Sequence, residues 1–147
     1  MTAGRDPHHG VHAMSRADCS GRRAVAAGAI LGGMAVAAGA FGAHALKPVL
    51  EASGQAANWE TAARYALMHA LALVGVGLAS AVWRPAPSRL GLAAWAFGLG
   101  TLIFSGCLFA LALGGPRILG AIVPIGGGLL IVGWGVLAVV ALTCREE

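Results

Sequence analysis

Charge, aromatic rings and imidazole gather in one stretch of the chain. His44, Lys47, Trp59, Glu60, Arg64, Tyr65 and His69 form the candidate functional polar cluster. Glu60 and Arg64 stand four apart in the order that favours an ion pair on a helix. With Lys47, Glu51 and Arg117 they could compose a charged binding patch. The competing reading is an interfacial anchor, in which Trp59 and Tyr65 form part of an aromatic belt. His69 follows Glu60 by nine residues, which on a helix is ~14 Å along the axis. No carboxylate lies at that depth, so an Asp/Glu proton relay is missing. Two histidines, His44 and His69, make no metal site by themselves. The expectation is a neutral, bundle-facing, hydrogen-bonded His69, with Tyr65, Ser105 or carbonyls near Pro124 as partners. Nucleophile triads, phosphate loops and zinc motifs are absent from the sequence. It therefore predicts no catalytic residue, no metal site and no cofactor.

The elements that must carry these residues follow from composition. The chain has 147 residues, 58% of them hydrophobic and 11% charged, and its mean hydropathy is +0.77. Soluble domains carry roughly 25% charged residues. A chain so poor in charge cannot cover a water-facing surface, and the bilayer is its natural solvent. A spanning helix needs about 20 mostly apolar residues. Residues 24–46, 61–83, 90–113 and 118–142 each qualify. None alternates apolar and polar as a barrel strand would. The expected fold is an all-α membrane protein, a bundle of four transmembrane helices over 23–143, with a mobile cytoplasmic tail at 1–22 and a cytoplasmic C-terminus at 144–147. "HHGVH" at 8–12 is assigned to that tail rather than to a metal site. "RPAPS" ends the second span, "GGPR" reverses the chain before the fourth, and Asn58 is the expected N-cap of the second.

Positive charge sets the expected orientation. Arg5, Arg16, Arg22, Arg23, Arg84, Arg89 and Arg145 fall on one side; Lys47, Arg64 and Arg117 fall on the other. Both termini should face the cytoplasm from a bacterial inner membrane. Arg22-Arg23 before an apolar run suggests a signal peptide, but the run exceeds a signal peptide's apolar core. The net charge of +4 is small and dispersed, which gives no reason to expect nucleic acid as a partner. Cys19, Cys107 and Cys144 have no metal-like spacing and suggest no disulfide framework.

Packing in lipid depends on close contact between small residues. Gly28, Gly32, Ala35, Gly39 and Gly42 offer such a face on the first span; Gly91, Ala94, Gly98, Thr101 and Ser105 offer one on the third. Ile30, Met34 and Phe41 lie on another side of the first span, toward lipid or a neighbour. Pro124 with Gly126, Gly127 and Gly128 predicts a kink or local break in the fourth.

Three segments in order carry a family resemblance: "GAFGAHALK", "WETAARYALMHALAL" and "FSGCLFALALGGPRILGAIVPIGG". The chain resembles the YgdD/YwdK-like small bacterial membrane proteins from about Gly28 to Leu142. That family has no assigned function and has small membrane relatives in animals. Ala45 stands where members often have glycine, and Ala66 where many have glutamine or a similar residue. The resemblance implies a four-helix inner-membrane protein and brings no catalytic residue, substrate or cofactor. The function expected is a structural or partner-binding membrane component, in contact with membrane lipids and with another copy or a membrane-protein partner. The alternative is an oligomeric transporter or channel subunit for a small solute or ion, motivated by His69 and the Pro124–Gly128 stretch.

Overall fold

Hydrocarbon leaves a backbone no water to bond, so a chain crossing it must satisfy its own amides, and a helix does this within one segment. The computed structural model describes residues 16–83 and 87–143, and every regular element among them is helical. The order is α1 (Arg16–Ala43), α2 (Lys47–Ala52), α3 (Ala56–Val82), α4 (Pro87–Ala112) and α5 (Leu119–Thr143). Ser20–Ala43, Ala56–Val82, Arg89–Ala112 and Leu119–Thr143 are each long and apolar enough to cross a membrane. The fold is a four-span helical membrane protein, with the six-residue α2 as an added element.

Several boundaries differ from expectation. Residues 16–22, assigned to the tail, belong to α1; residues 1–15, with the "HHGVH" segment, and 144–147 lie outside the described residues. α1 ends at Ala43, so His44 follows it rather than closing it. There the Leu46 amide donates to the Phe41 carbonyl at 2.8 Å. That bond terminates the helix, and Pro48 in the first turn of α2 suits a fresh start. α3 begins at Ala56, so Asn58 is not its N-cap. The Asn58 side-chain Nδ2 instead donates to Gln55 Oε1 at 2.7 Å.

Two glycines make the sharp turns. Gly54 has φ +69° and Gly114 has φ +88°. Around Gly54, the Gln55 amide bonds Leu50 O at 2.8 Å; around Gly114, the Gly115 amide bonds Ala110 O at 2.8 Å. Both are the six-to-one bonds of a glycine-terminated helix, and they consume carbonyls the helix end would leave unpaired.

α1 packs on α3, α3 on α4 and α4 on α5, while α1 touches α4 only lightly. The small residues that allow this follow a seven-residue step. On α1 the buried positions are Gly21, Gly28 and Ala35. A Cβ at Gly28 would stand 2.7 Å from Ala70 O, and one at Gly77 would stand 2.7 Å from Gly21 O. One step further, a Cβ at Gly42 would collide with the Trp59 indole. The α4–α5 seam repeats the device. A Cβ at Gly126 would lie 2.5 Å from the Phe104 amide nitrogen, and one at Gly133 would lie 2.7 Å from the Phe97 ring.

The expected packing glycines divide accordingly. Gly28 is in the seam, and Gly32 meets Ala70 at an ordinary 3.6 Å. Gly39 and Gly98 are not packing positions within the chain, because a Cβ there would meet nothing within 4 Å. Ser105 is buried. Of the kink or local break expected at Pro124, the break is absent, since α5 runs through it. Pro124 falls in the second turn of α5, where the one missing amide bond reaches back to the helix start. Gly126 and Gly127 are held against Phe104. Gly128 has open space beside it.

The main core joins Leu73 and Val76 of α3, Leu90, Ala93 and Phe97 of α4, and Leu130 and Val140 of α5. A second core sets Leu50 of α2 against Trp59 and Ala112, with Phe109, Leu46 and Ala38 around them.

Candidate functional site

The sequence-predicted cluster separates into two places. The first is a cleft of about 300 Å³ between the end of α1, the short α2 and the start of α3. Lys47, Trp59 and Glu60 line it, joined by Glu51. α2 is six residues long and begins at Lys47, so it shows Lys47 and Glu51 one turn apart. Their charges are 3.9 Å apart on side chains more than half exposed. Glu60 takes a hydrogen bond from Arg64 Nη2 on the surface of α3. Exposed pairs of this kind are worth ~1 kcal/mol or less. The rest of the lining is apolar, with Gly39, Gly42 and Ala43 from α1, Leu50 from α2 and Ala56, Trp59 and Ala63 from α3. His44 is exposed just past α1, and neither it nor Arg117 lines the cleft.

Trp59 is not a belt residue. It is 9% exposed, its Nε1 donates to the Ala38 carbonyl at 2.8 Å, and its ring meets Phe109 edge-on at 4.7 Å. Gly42 is the reason: without a side chain it leaves a seat into which the indole fits. The Trp59 N–H thus bonds a carbonyl of α1 from α3 and fixes the inner wall of the cleft.

The second place is internal. His69 is 5% exposed, and its Nδ1 lies 2.8 Å from the Tyr65 carbonyl oxygen. Trp134 Nε1 donates to His69 Nε2 at 3.3 Å. These bonds define a tautomer: the proton sits on Nδ1, donated to Tyr65 O, and Nε2 accepts from the indole. The ring has no further polar capacity. Phe97 lies 5.8 Å from the imidazole and 5.1 Å from the Trp134 ring. Tyr65 stacks on Phe104 at 4.6 Å. Of the expected partners for His69, Tyr65 serves through its backbone, not its hydroxyl. Ser105 does not serve, and its buried Oγ has no partner among the described residues. Trp134 was missed. It lies 65 positions away on another helix, and nothing in its neighbourhood distinguishes it from a lipid-facing aromatic.

The outward side of α3 carries Leu71 and Leu78, well exposed, and Leu67, less so. Among the described residues, no three His, Cys, Asp or Glu side chains converge as a metal site would require. The chemistry on offer is therefore charge recognition at the cleft and a fully bonded imidazole inside.

The model of a family described as a protein of unknown function, DUF423, matches residues 38–127. That stretch contains the cleft and the His69 ring, but not Trp134. A UPF0382 membrane protein of Staphylococcus epidermidis is 44% identical over 115 residues, covering 78% of this chain and 91% of its own. A UPF0382 membrane protein of Haemophilus influenzae is 40% identical over 111 residues, covering 75% and 86%. The UPF0382 inner membrane protein YgdD of Escherichia coli K12 is 35% identical over 120 residues, covering 81% and 88%. No solved structure matches the chain.

Proposed function

The chain belongs to the DUF423 (UPF0382) family of membrane proteins, and from that premise we propose that it is a non-catalytic component of the bacterial inner membrane that acts through lateral contacts. Its partner is another copy or a different membrane protein. The carrying observation is how little of the outer helices the chain buries for itself. Only 17% of the most apolar window of α1 and 22% of that of α5 are buried, against 39% for α3 and α4. Ile30, Met34 and Val36 on α1, and Ile131 and Leu142 on α5, are all exposed. The interior supports the same reading. His69, a polar group in the middle of α3, has both ring nitrogens engaged in hydrogen bonds.

In this reading both termini face the cytoplasm, and the α2 side faces outward. Four spans return the chain to its starting side. Lysine and arginine then obey the inside preference by seven to three.

The test is mass measurement in mild detergent, with photo-crosslinkers at Met34 and Ile131, followed by solute flux in liposomes. The expected result is a defined assembly crosslinked through one of these positions and no specific flux. A monomer that supports a specific flux, abolished by His69→Leu, would overturn the proposal in favour of transport.

A further inference from the structure

The cleft beside α2 has a composition that lateral packing does not use. α2 lies between the end of one span at Ala43 and the start of the next at Ala56, which sets the cleft at the boundary of the membrane. Its volume, about 300 Å³, is at the small end of ligand sites, roughly 300–1,000 Å³. Its apolar lining includes Gly39, Gly42 and the buried Leu50, Trp59 and Ala63, and its exposed lining carries Lys47, Glu51 and Glu60. An occupant has to satisfy both. A simple anion would meet Lys47 but also two carboxylates, and a simple cation would meet the reverse. A zwitterion with an apolar continuation meets neither objection.

We infer that this cleft binds the headgroup of a zwitterionic phospholipid bearing a primary ammonium. The phosphate lies on Lys47, and the ammonium is shared by Glu51 and by Oε2 of Glu60, whose Oε1 takes the Arg64 bond. The loose 3.9 Å pairing of Lys47 with Glu51, on exposed side chains, opens at little cost to admit the two charges. A primary ammonium offers three N–H donors for the carboxylates. A quaternary ammonium offers none, and a glycerol headgroup offers no positive charge. Gly39 gains a role here. It lines the cleft, yet a side chain on it would meet nothing within 4 Å. Its missing side chain leaves room for a ligand, not for a neighbouring helix. The site stands apart from the lateral-contact reading; only its assignment to the outer leaflet depends on the proposed orientation.

The experiment is native mass spectrometry of the full chain titrated with phosphatidylethanolamine, phosphatidylcholine and phosphatidylglycerol of identical acyl chains. Loss of charge-assisted hydrogen bonds should cost about tenfold in retention for the choline and glycerol lipids. Gly39→Leu fills the cleft and should remove the ethanolamine preference while leaving thermal unfolding without added lipid unchanged. Gly33→Leu, also beside open space but outside the cleft, should keep the preference. The near-isosteric pair Glu51→Gln/Glu60→Gln should lose it, and decides the matter alone if Gly39→Leu does not fold. Equal retention of the three lipids by the unmodified chain overturns the inference. So does a preference that survives both the filled cleft and the amide pair. Displacement of the lipid by soluble glycerophosphoethanolamine at equal concentration would make this a solute site and defeat the lipid assignment.

Discussion

Trp134 leaves about half its surface outward yet donates its indole N–H to the buried His69. Trp134→Phe should retain the edge contact with Phe97 but leave Nε2 of His69 without a donor. The expected loss is ~0.6 kcal/mol, typical of a hydrogen bond within a membrane protein. His69→Leu should lose ~1 kcal/mol, because the Trp134 N–H goes unpaired and the Tyr65 carbonyl keeps only its helical bond. His69→Gln, which can still donate and accept, should lose less than Leu. Unfolding of the three variants in mixed detergent measures the order, and equal stability of Leu and Gln would show that these bonds contribute nothing. The inward direction of His69 was legible in the sequence, because Ala62, Ala66 and Ala72 flank it on its helix face. The Trp134 bond was not, since a pairing between α3 and α5 leaves no local mark. Trp59 misled for a related reason: its burial depends on a seat made by Gly42 on another helix.

At the level of the helix, the glycines sort by what stands opposite them. Gly126→Ala would drive a methyl into the Phe104 backbone, which cannot swing aside as a side chain can. A loss of about 1–3 kcal/mol is expected, as for overpacking in general. Gly28→Ala should behave alike against Ala70 O and Val74. Gly98→Ala meets open space and should be neutral or gain about 0.5–1 kcal/mol from helix propensity. Thermal unfolding of the three, side by side, is the measurement; a loss at Gly98 equal to that at Gly126 would refute the assigned seams. The sequence exposed the small-residue device but not its register. In an apolar helix every face is greasy, so no polar side marks the contact stripe, and Gly39 and Gly98 looked as suitable as Gly28. Helix ends were partly readable: the Gly114 reversal was foreseen, whereas the α1 terminus was not. There Leu46 N bonds Phe41 O as Gln55 N bonds Leu50 O past Gly54.

For the molecule as a whole, four spans were legible because a bilayer demands length and apolarity, and both can be counted. Their lateral order was not, because charge and hydropathy say nothing about which greasy surface meets which. Orientation is open to direct measurement. In a background lacking Cys19, Cys107 and Cys144, a cysteine at Gln55 should react with an impermeant thiol reagent on intact cells, and one at Ser88 should not. The opposite pattern would invert the proposed topology and move the cleft to the inner leaflet. The order of packing also bears on how the protein is made. Its two tightest seams join consecutive spans, α1 with α3 and α4 with α5. Each seam can close as soon as its second member leaves the ribosome, without waiting for sequence still to be translated. The looser α3–α4 seam also joins consecutive spans, so each span meets a partner already made as it enters the membrane.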